Sequence, residues 1–189
     1  GAFGHELVVV HTGGSHADLS ADYAAVPGDM RAAARVLGRE RLGGATPAEI
    51  LGALPEIRAA AGDRAALRAL HYARENARVP AMAAALEAGD FARFLALVGE
   101  SGDSSWELLQ NVANPRTPAD QGVAVAVALS REILGGAGAA RVHGGGFAGS
   151  AQAWVPLGLA DEYRKRVEAV FGPGSVVPLR VRPEGRTDL

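Results

Sequence analysis

An α+β fold with a split β-α-β-β-α-β order is what this sequence predicts. Three observations point to it. A β-branched run, Glu6-Leu-Val-Val-Val10, opens the chain and reads as a buried strand. A long middle stretch, about residues 27–136, carries helical periodicity and helix punctuation. A glycine cluster, Arg141-Val-His-Gly-Gly-Gly-Phe-Ala-Gly149, then separates two strand-like runs, and an amphipathic helix and a last alternating strand follow. The order predicts a four-stranded antiparallel sheet with helices on one face and non-sequential pairing, the large helical block lying inside the first crossover. No internal repeat or low-complexity linker divides the chain, so residues 1–189 are read as one domain.

Each element has its own warrant. His11-Thr-Gly-Gly-Ser-His16 ends the first strand, and its two histidines lack a third ligand nearby, so the loop reads as polar rather than metal-binding. Asp18 to Tyr23 is a polar stretch with one aromatic. Pro27 to Leu37 places Met30, Ala33, Ala34 and Leu37 on one helical face, and Gly38 stops it. Thr46-Pro47-Ala-Glu49 is a helix start, with Thr46 as N-cap, Pro in the first turn and Glu at the third position. That helix ends near Leu54-Pro55.

Asp63 to Val79 carries a stripe of Ala66, Leu70, Ala73 and Ala77, and Pro80 breaks it before a further helical piece to Ala88. His71 and Asn76 on this helix read as local hydrogen-bonding residues. Gly89-Asp90 is a C-terminal glycine followed by a new N-cap, and Phe91, Phe94, Leu95 and Val98 line the next helix. Glu100-Ser-Gly-Asp-Ser-Ser105 reads as a polar turn. Its serines lack a G-x-S-x-G elbow and suit the start of a helix at Trp106. Thr117-Pro118-Ala-Asp120 is a third start, leading into an almost wholly apolar helix, Val123 to Leu134, closed by Gly135-Gly136. Strands are expected around Ala140–His143 and from Ser150 to Val155, a helix from Asp161 to Phe171, and a half-buried strand through Val177, Leu179 and Val181. Pro178 marks that strand as an edge or a bulge.

Composition limits function. Net charge is −2, Lys165 is the only lysine and the arginines are spread, so no basic stripe for nucleic acid is present. There is no cysteine, which excludes disulfides and thiolate metal sites and is compatible with a reducing cytoplasm. The longest uncharged run, Val142 to Ala160, is broken by five glycines, Pro156 and His143, so no membrane span is expected. The chain lacks an initiator Met and begins Gly-Ala-Phe-Gly, as a processed or excised piece would.

The glycine cluster satisfies G-x-G-x-x-G at Gly144, Gly146 and Gly149, but a dinucleotide fingerprint needs a helix after it. Here Ser150-Ala-Gln-Ala-Trp-Val155 alternates like a strand, which rejects that reading and leaves a hairpin turn or a loop that must approach another group closely.

With these residues in hand, the chain resembles galactokinase, in the sugar and isoprenoid kinase group called the GHMP kinases. Residues 141–149 look like that family's third conserved motif. Asp63 to His71 with Glu75-Asn76 and Arg78-Val79, Ser101-Gly-Asp-Ser-Ser105 with Leu109-Gln-Asn111, Phe171-Gly172 and Arg180-Val-Arg-Pro183 are similar to galactokinase in particular. The resemblance implies the C-terminal domain of such a kinase, a ferredoxin-like split with a helical insertion. The family's sugar-binding first motif, its Gly-Leu-Ser-Ser-Ser phosphate loop and its general-base aspartate have no counterpart here. They are expected on an N-terminal half preceding Gly1, so no catalytic residue and no metal ligand is assigned to this chain. Tyr23, in Ser20-Ala-Asp-Tyr23, looks like the tyrosine that contacts the sugar, with Asp22 in place of the usual Glu. Gly144, Gly145 and Gly146 look like the loop that packs under the phosphate loop and borders the sugar.

The implied activity is ATP-dependent phosphorylation of galactose at its anomeric hydroxyl. ATP and Mg2+ serve the complete cytoplasmic enzyme, and neither is expected to bind tightly to this chain alone. The alternative is a non-catalytic sugar- and nucleotide-sensing or relic module. An isolated half is expected to expose the apolar surface its partner half covers, and so to self-associate.

Overall fold

The computed structural model describes residues 3–14 and 19–180. The four strands are β1 (His5–His11), β2 (Ala139–Val142), β3 (Ser150–Pro156) and β4 (Val176–Leu179), in the order β2-β3-β1-β4, and every neighbouring pair is antiparallel. This is the split order, with β1 and β2 separated by a long helical segment. Between them lie α1 (Ser20–Val36), α2 (Pro47–Gly52), α3 (Leu54–Ala61), α4 (Asp63–Glu87), α5 (Phe91–Ser104) and α6 (Gly122–Leu134); α7 (Ala160–Phe171) joins β3 to β4.

Strand alternation divides the two sheet faces. Val8, Val10, Ala140, Val142, Ala151, Ala153, Val155 and Val176 point to one face, where they bury against Val123, Ala126 and Val127 of α6 and Tyr163 and Val167 of α7. Small residues at Ala151 and Ala153 let the helices approach closely. Tyr163 is fully buried among them because its hydroxyl shares a 2.7 Å hydrogen bond with Ser130 of α6. A second core lies in the helical block, where Ala33, Ala34, Ile50, Ile57, Ala66, Ala69, Leu70 and Leu108 pack together.

Between the two cores runs α5. It lies against edge strand β2, and an added Cβ at Gly102 would sit 3.2 Å from the Ala140 oxygen and 3.1 Å from the Arg141 Cβ, so a side chain there would push the helix away. Phe91 and Phe94 of α5 meet Trp154 of β3 edge-on at centroid distances of 5.7 and 5.3 Å, which closes the other end of this contact.

Several boundaries differ from expectation. The first helix begins at Ser20, so the helical block starts before residue 27 and Pro27 lies inside α1. Pro80 likewise sits inside a continuous α4, whose stripe ends early because Ala77 is exposed. A separate short helix, α3, follows α2 where an ending was expected. Residues 100–104 are not a turn but the last part of α5, and a π-turn at Ser105–Leu109 continues from them. Thr117 caps no helix: the 112–121 loop is built by Gln121, whose Oε1 accepts from Asn114 N–H at 2.8 Å and whose Nε2 donates to Asn114 O at 2.8 Å, and α6 begins at Gly122. Helix α6 is one-sided rather than buried all round, with Val125 47 % exposed. In β4 the phase is reversed: Val176 is buried beside Val10, whereas Val177 and Leu179 are exposed. The strand is an edge strand, as Pro178 requires. His16 and residues 181–183 lie outside the described residues.

Candidate functional site

Gly144 to Gly149 form the β2–β3 connection, and its backbone demands its glycines at particular places. Gly144, Gly146 and Gly149 have φ of +69, +78 and +92°, and Phe147 follows the same path at +59°. That is the left-handed region, which costs a residue with a Cβ about 1–2 kcal/mol. His143 N–H donates to Ser150 O at 3.0 Å and closes the hairpin, while Thr12 donates both its N–H and its hydroxyl to Gly149 O, at 2.9 and 2.8 Å. Gly144 and Gly145 are exposed; Gly146, Phe147 and Ala148 are buried.

Two elements from far along the chain grip the loop from opposite sides. Tyr23, half-buried on α1, donates its hydroxyl to Gly146 O at 2.7 Å and packs its ring edge-on against Phe147 at 5.4 Å. An added Cβ at Gly145 would stand 2.8 Å from the Tyr23 ring. Burial raises the Tyr23 pKa, so the phenol is a donor throughout the neutral range. On the other side, Asn111 donates Nδ2–H to Gly145 O at 3.0 Å and receives Phe147 N–H on its own carbonyl at 2.5 Å. A Cβ at Gly146 would collide with that carbonyl and with the Asn111 side chain. The loop sequence Gly145-Gly146 is thus what lets an aromatic ring and an asparagine approach the same backbone.

Behind the loop is a polar seam between α4, α5 and β2. Arg141, the residue that leads into the loop through Val142 and His143, donates from Nη1 to Ser101 Oγ at 2.6 Å, and Ser101 in turn donates to Glu75 Oε2 at 2.6 Å. Glu75 also pairs with Arg78. Burial, and then the Arg78 guanidinium, lowers the Arg141 pKa from the ordinary arginine value. His71 Nδ1 meets Ser104 Oγ at 2.8 Å, and burial, with Arg141 and Arg78 nearby, holds its pKa down to about 4. The serines that sequence reasoning gave to capping are therefore buried links in this seam. His71 and Arg78 belong to a stretch that carried the family resemblance, and both lie in this seam.

The structure places Tyr23 against Gly145 and Gly146, leaves Gly144 outside that contact, and adds Asn111. No feature of Asn111 in the sequence singled it out beyond its place in the Leu109-Gln-Asn111 similarity. Among the described residues, no group of three or more His, Asp or Glu side chains is placed to hold a metal ion. Likewise among the described residues, no helix is long and apolar enough to cross a membrane.

The four-stranded split sheet carries α6 and α7 on one face and α5 against Ala139 and Trp154 on the other, rather than the helices on one face that the sequence predicts. With a glycine loop held by a tyrosine and an asparagine, this defines the class of domain: an α+β unit that presents a backbone loop at one end of its sheet. Comparison with known proteins is more particular. A galactokinase of Mannheimia succiniciproducens is 30 % identical over 159 residues, 84 % of this chain and 39 % of that protein. A galactokinase of Streptomyces lividans is 30 % identical over 182 residues, 95 % of this chain and 43 % of that protein. The crystal structure of Lactococcus lactis galactokinase complexed with galactose matches with a TM-score of 0.71 at 24 % identity, over 89 % of this chain and 42 % of that one, and shows the shared fold. No family model matches. The chain is similar to the C-terminal portion of galactokinases, and it spans about two-fifths of its relatives' length.

Proposed function

We propose that this chain is the C-terminal part of an ATP-dependent sugar kinase that phosphorylates the anomeric hydroxyl of galactose, and that it does not turn over alone. The observation that carries the reading is the contact of Tyr23 with the glycine loop: its hydroxyl donates to Gly146 O at 2.7 Å and its ring packs edge-on against Phe147. The two parts transferred from the family resemblance, a sugar-contacting tyrosine and a loop bordering the sugar, are therefore neighbours. The loop's role is to form one wall of the site at fixed backbone positions, and Tyr23 orients the sugar against that wall. Phosphoryl transfer also needs cradled phosphates, a metal ion and a group that orients the attacking hydroxyl. ATP with Mg2+ supplies the phosphoryl group and its charge neutralisation when bound to the complete protein. Among the described residues, no cluster of three or more His, Asp or Glu side chains makes the metal site.

Phosphorylation of galactose is measured on the 189-residue chain and on the protein with its upstream coding segment included. The chain alone is expected at the level of the blank, and the longer protein to be active with galactose. Turnover by the isolated chain would overturn the division of labour. An inactive longer protein that still binds galactose would instead make this a sensing module. In the active protein, Tyr23→Phe removes both the clamp donor and the sugar contact, and is expected to raise KM for galactose by about tenfold, the loss of one hydrogen bond to a neutral partner.

A further inference from the structure

Asn111 is delivered to the glycine loop by an unusual piece of backbone. Helix α5 does not end at a cap. It passes into the π-turn Ser105–Leu109, and Gln110 then adopts the left-handed conformation at φ +61°, one of two non-glycine residues among those described with positive φ. The other is Phe147, and the two strained positions are joined directly, since Phe147 N–H donates to the carbonyl of Asn111, the residue after Gln110. π-turns and left-handed non-glycine residues are costly, and they persist where the surroundings hold them for a purpose. Here the surroundings do hold them. The nearly buried Arg68 of α4, ion-paired at 2.8 Å with Asp29 of α1, aims its Nε at Leu109 O at 3.4 Å.

Asn111 itself is 3 % exposed. Its Nδ2 reaches Gly145 O, while its Oδ1 accepts from no described residue. A buried acceptor without a partner is unfavourable, and a residue present only to fill space would avoid it. The amide is retained for its donor.

We propose that Asn111 is a positioning residue of the glycine loop. It sets the Gly145 and Gly146 peptide planes, one through its side-chain donor and the other by receiving the next N–H on its carbonyl, so that the opposite side of the loop is presented in one orientation. Tyr23 bonds the Gly146 carbonyl from the other side, and the loop is fixed only when both grips are made. The consequence for function rests on the reading of the loop as a wall of the sugar site; the clamp itself does not.

The test uses Asn111→Asp and Asn111→Ala in the 189-residue chain, followed by amide hydrogen exchange and the amide resonances of residues 144–147. Asp is the isostere, but a buried carboxylate is costly under either role, and a space-filling role predicts that the cost is shared by β1 and α6 amides. A positioning donor predicts a loss confined to the loop at neutral pH, because the carboxylate would face Gly145 O with no proton between two acceptors. Exchange of the Phe147 amide is then expected to rise about tenfold or more in the Asp variant and less in the Ala variant, with β1 and α6 amides unchanged. Acidification protonates the Asp and restores a donor, so the Asp variant alone is expected to regain protection as pH falls. If Asp prevents folding, Ala decides: a loop that exchanges as in the parent chain overturns the proposal. An Asp variant with parental loop exchange at neutral pH overturns it too. In the longer protein, the clamp predicts a lower kcat with KM for galactose less affected. A loop that responds while catalysis does not leaves the clamp standing and removes the loop from the reacting site.

Discussion

Gly146 is where chain geometry leaves least freedom, and the three central glycines of the loop differ in what they require. Gly144 has positive φ but open space around it, so Gly144→Ala meets only the backbone penalty, about 1–2 kcal/mol. Gly145 has ordinary φ, but a Cβ would press on the Tyr23 ring, and Gly145→Ala is expected to cost about 1–3 kcal/mol as the ring is displaced. Gly146 combines positive φ with a collision against the Asn111 backbone, which cannot swing aside, so Gly146→Ala is expected to be the worst, at about 3 kcal/mol or more. Urea denaturation of the three variants checks the order 146, 145, 144. His71 offers a second test at this scale. Its folded pKa of about 4 lies below the 6.5 of an unperturbed imidazole, so between these values the unfolded chain binds more protons. Stability is therefore intact above pH 6.5 and falls as pH drops toward 4, by up to about 3 kcal/mol. Denaturation midpoints between pH 7 and 5 should fall less steeply in His71→Gln, and equal slopes would remove His71 as the source. The glycines were legible in the sequence because their chemistry is local: four in six residues demand special backbone. Asn111 was not, because its partner Gly145 lies 34 residues away and only the folded sheet brings them together.

Elements were legible where punctuation and packing agree, and misread where packing overrides punctuation. Thr46 does cap α2, accepting from Glu49 N–H at 3.2 Å, and Asp90 caps α5 through Arg93 N–H at 2.9 Å. Both prolines read as boundaries, Pro27 and Pro80, instead lie within helices whose other faces are buried. The serine run read as a turn because Ser, Gly and Asp favour turns in isolation; inside the fold, Ser101 and Ser104 bond Glu75 and His71, and the helix continues. The β4 phase was misread because two adjacent valines, Val176 and Val177, precede Pro178 on a strand short enough for either register. Pro80 makes the override measurable. It is exposed, it donates no N–H to the Asn76 carbonyl, and Pro in a helix interior costs up to about 3 kcal/mol relative to Ala. Part of that is returned through the stiffer unfolded chain, about 0.4–1 kcal/mol. Pro80→Ala is thus expected to stabilise the chain by about 2 kcal/mol, seen as a raised thermal midpoint; a lowered midpoint would mean that α4 is shaped around the ring.

At the scale of the molecule, the order of the sheet followed from the sequence, while the separation of its cores did not. Hydrophobic periodicity shows which face of a helix is buried but not against which partner. The sheet core, with α6 and α7, and the helical core of α1 to α4 share no buried residue, and α5 with the Arg141–Ser101–Glu75 relay lies between them. Such an arrangement favours opening in two units, since each core is a cooperative set of contacts and only part of the seam between them, the Phe91, Phe94 and Trp154 cluster, is apolar. Native-state hydrogen exchange in low denaturant is expected to resolve two classes of amide: one across β1, β3 and α6, the other across α2, α3 and the first half of α4. Arg141→Leu tests the coupling. It removes the donor to Ser101, leaves Glu75 with Ser101 and Arg78, and puts an apolar chain into a polar seam. The helical block should then open at lower denaturant while the most protected sheet amides move little. Should all amides shift together, the two cores fold as one unit and the seam does not divide them. The glycine loop spans both, gripped by Tyr23 and Asn111 from helical-block elements while its ends belong to β2 and β3. Opening of either unit releases the loop, so its amides should exchange with the less stable of the two classes.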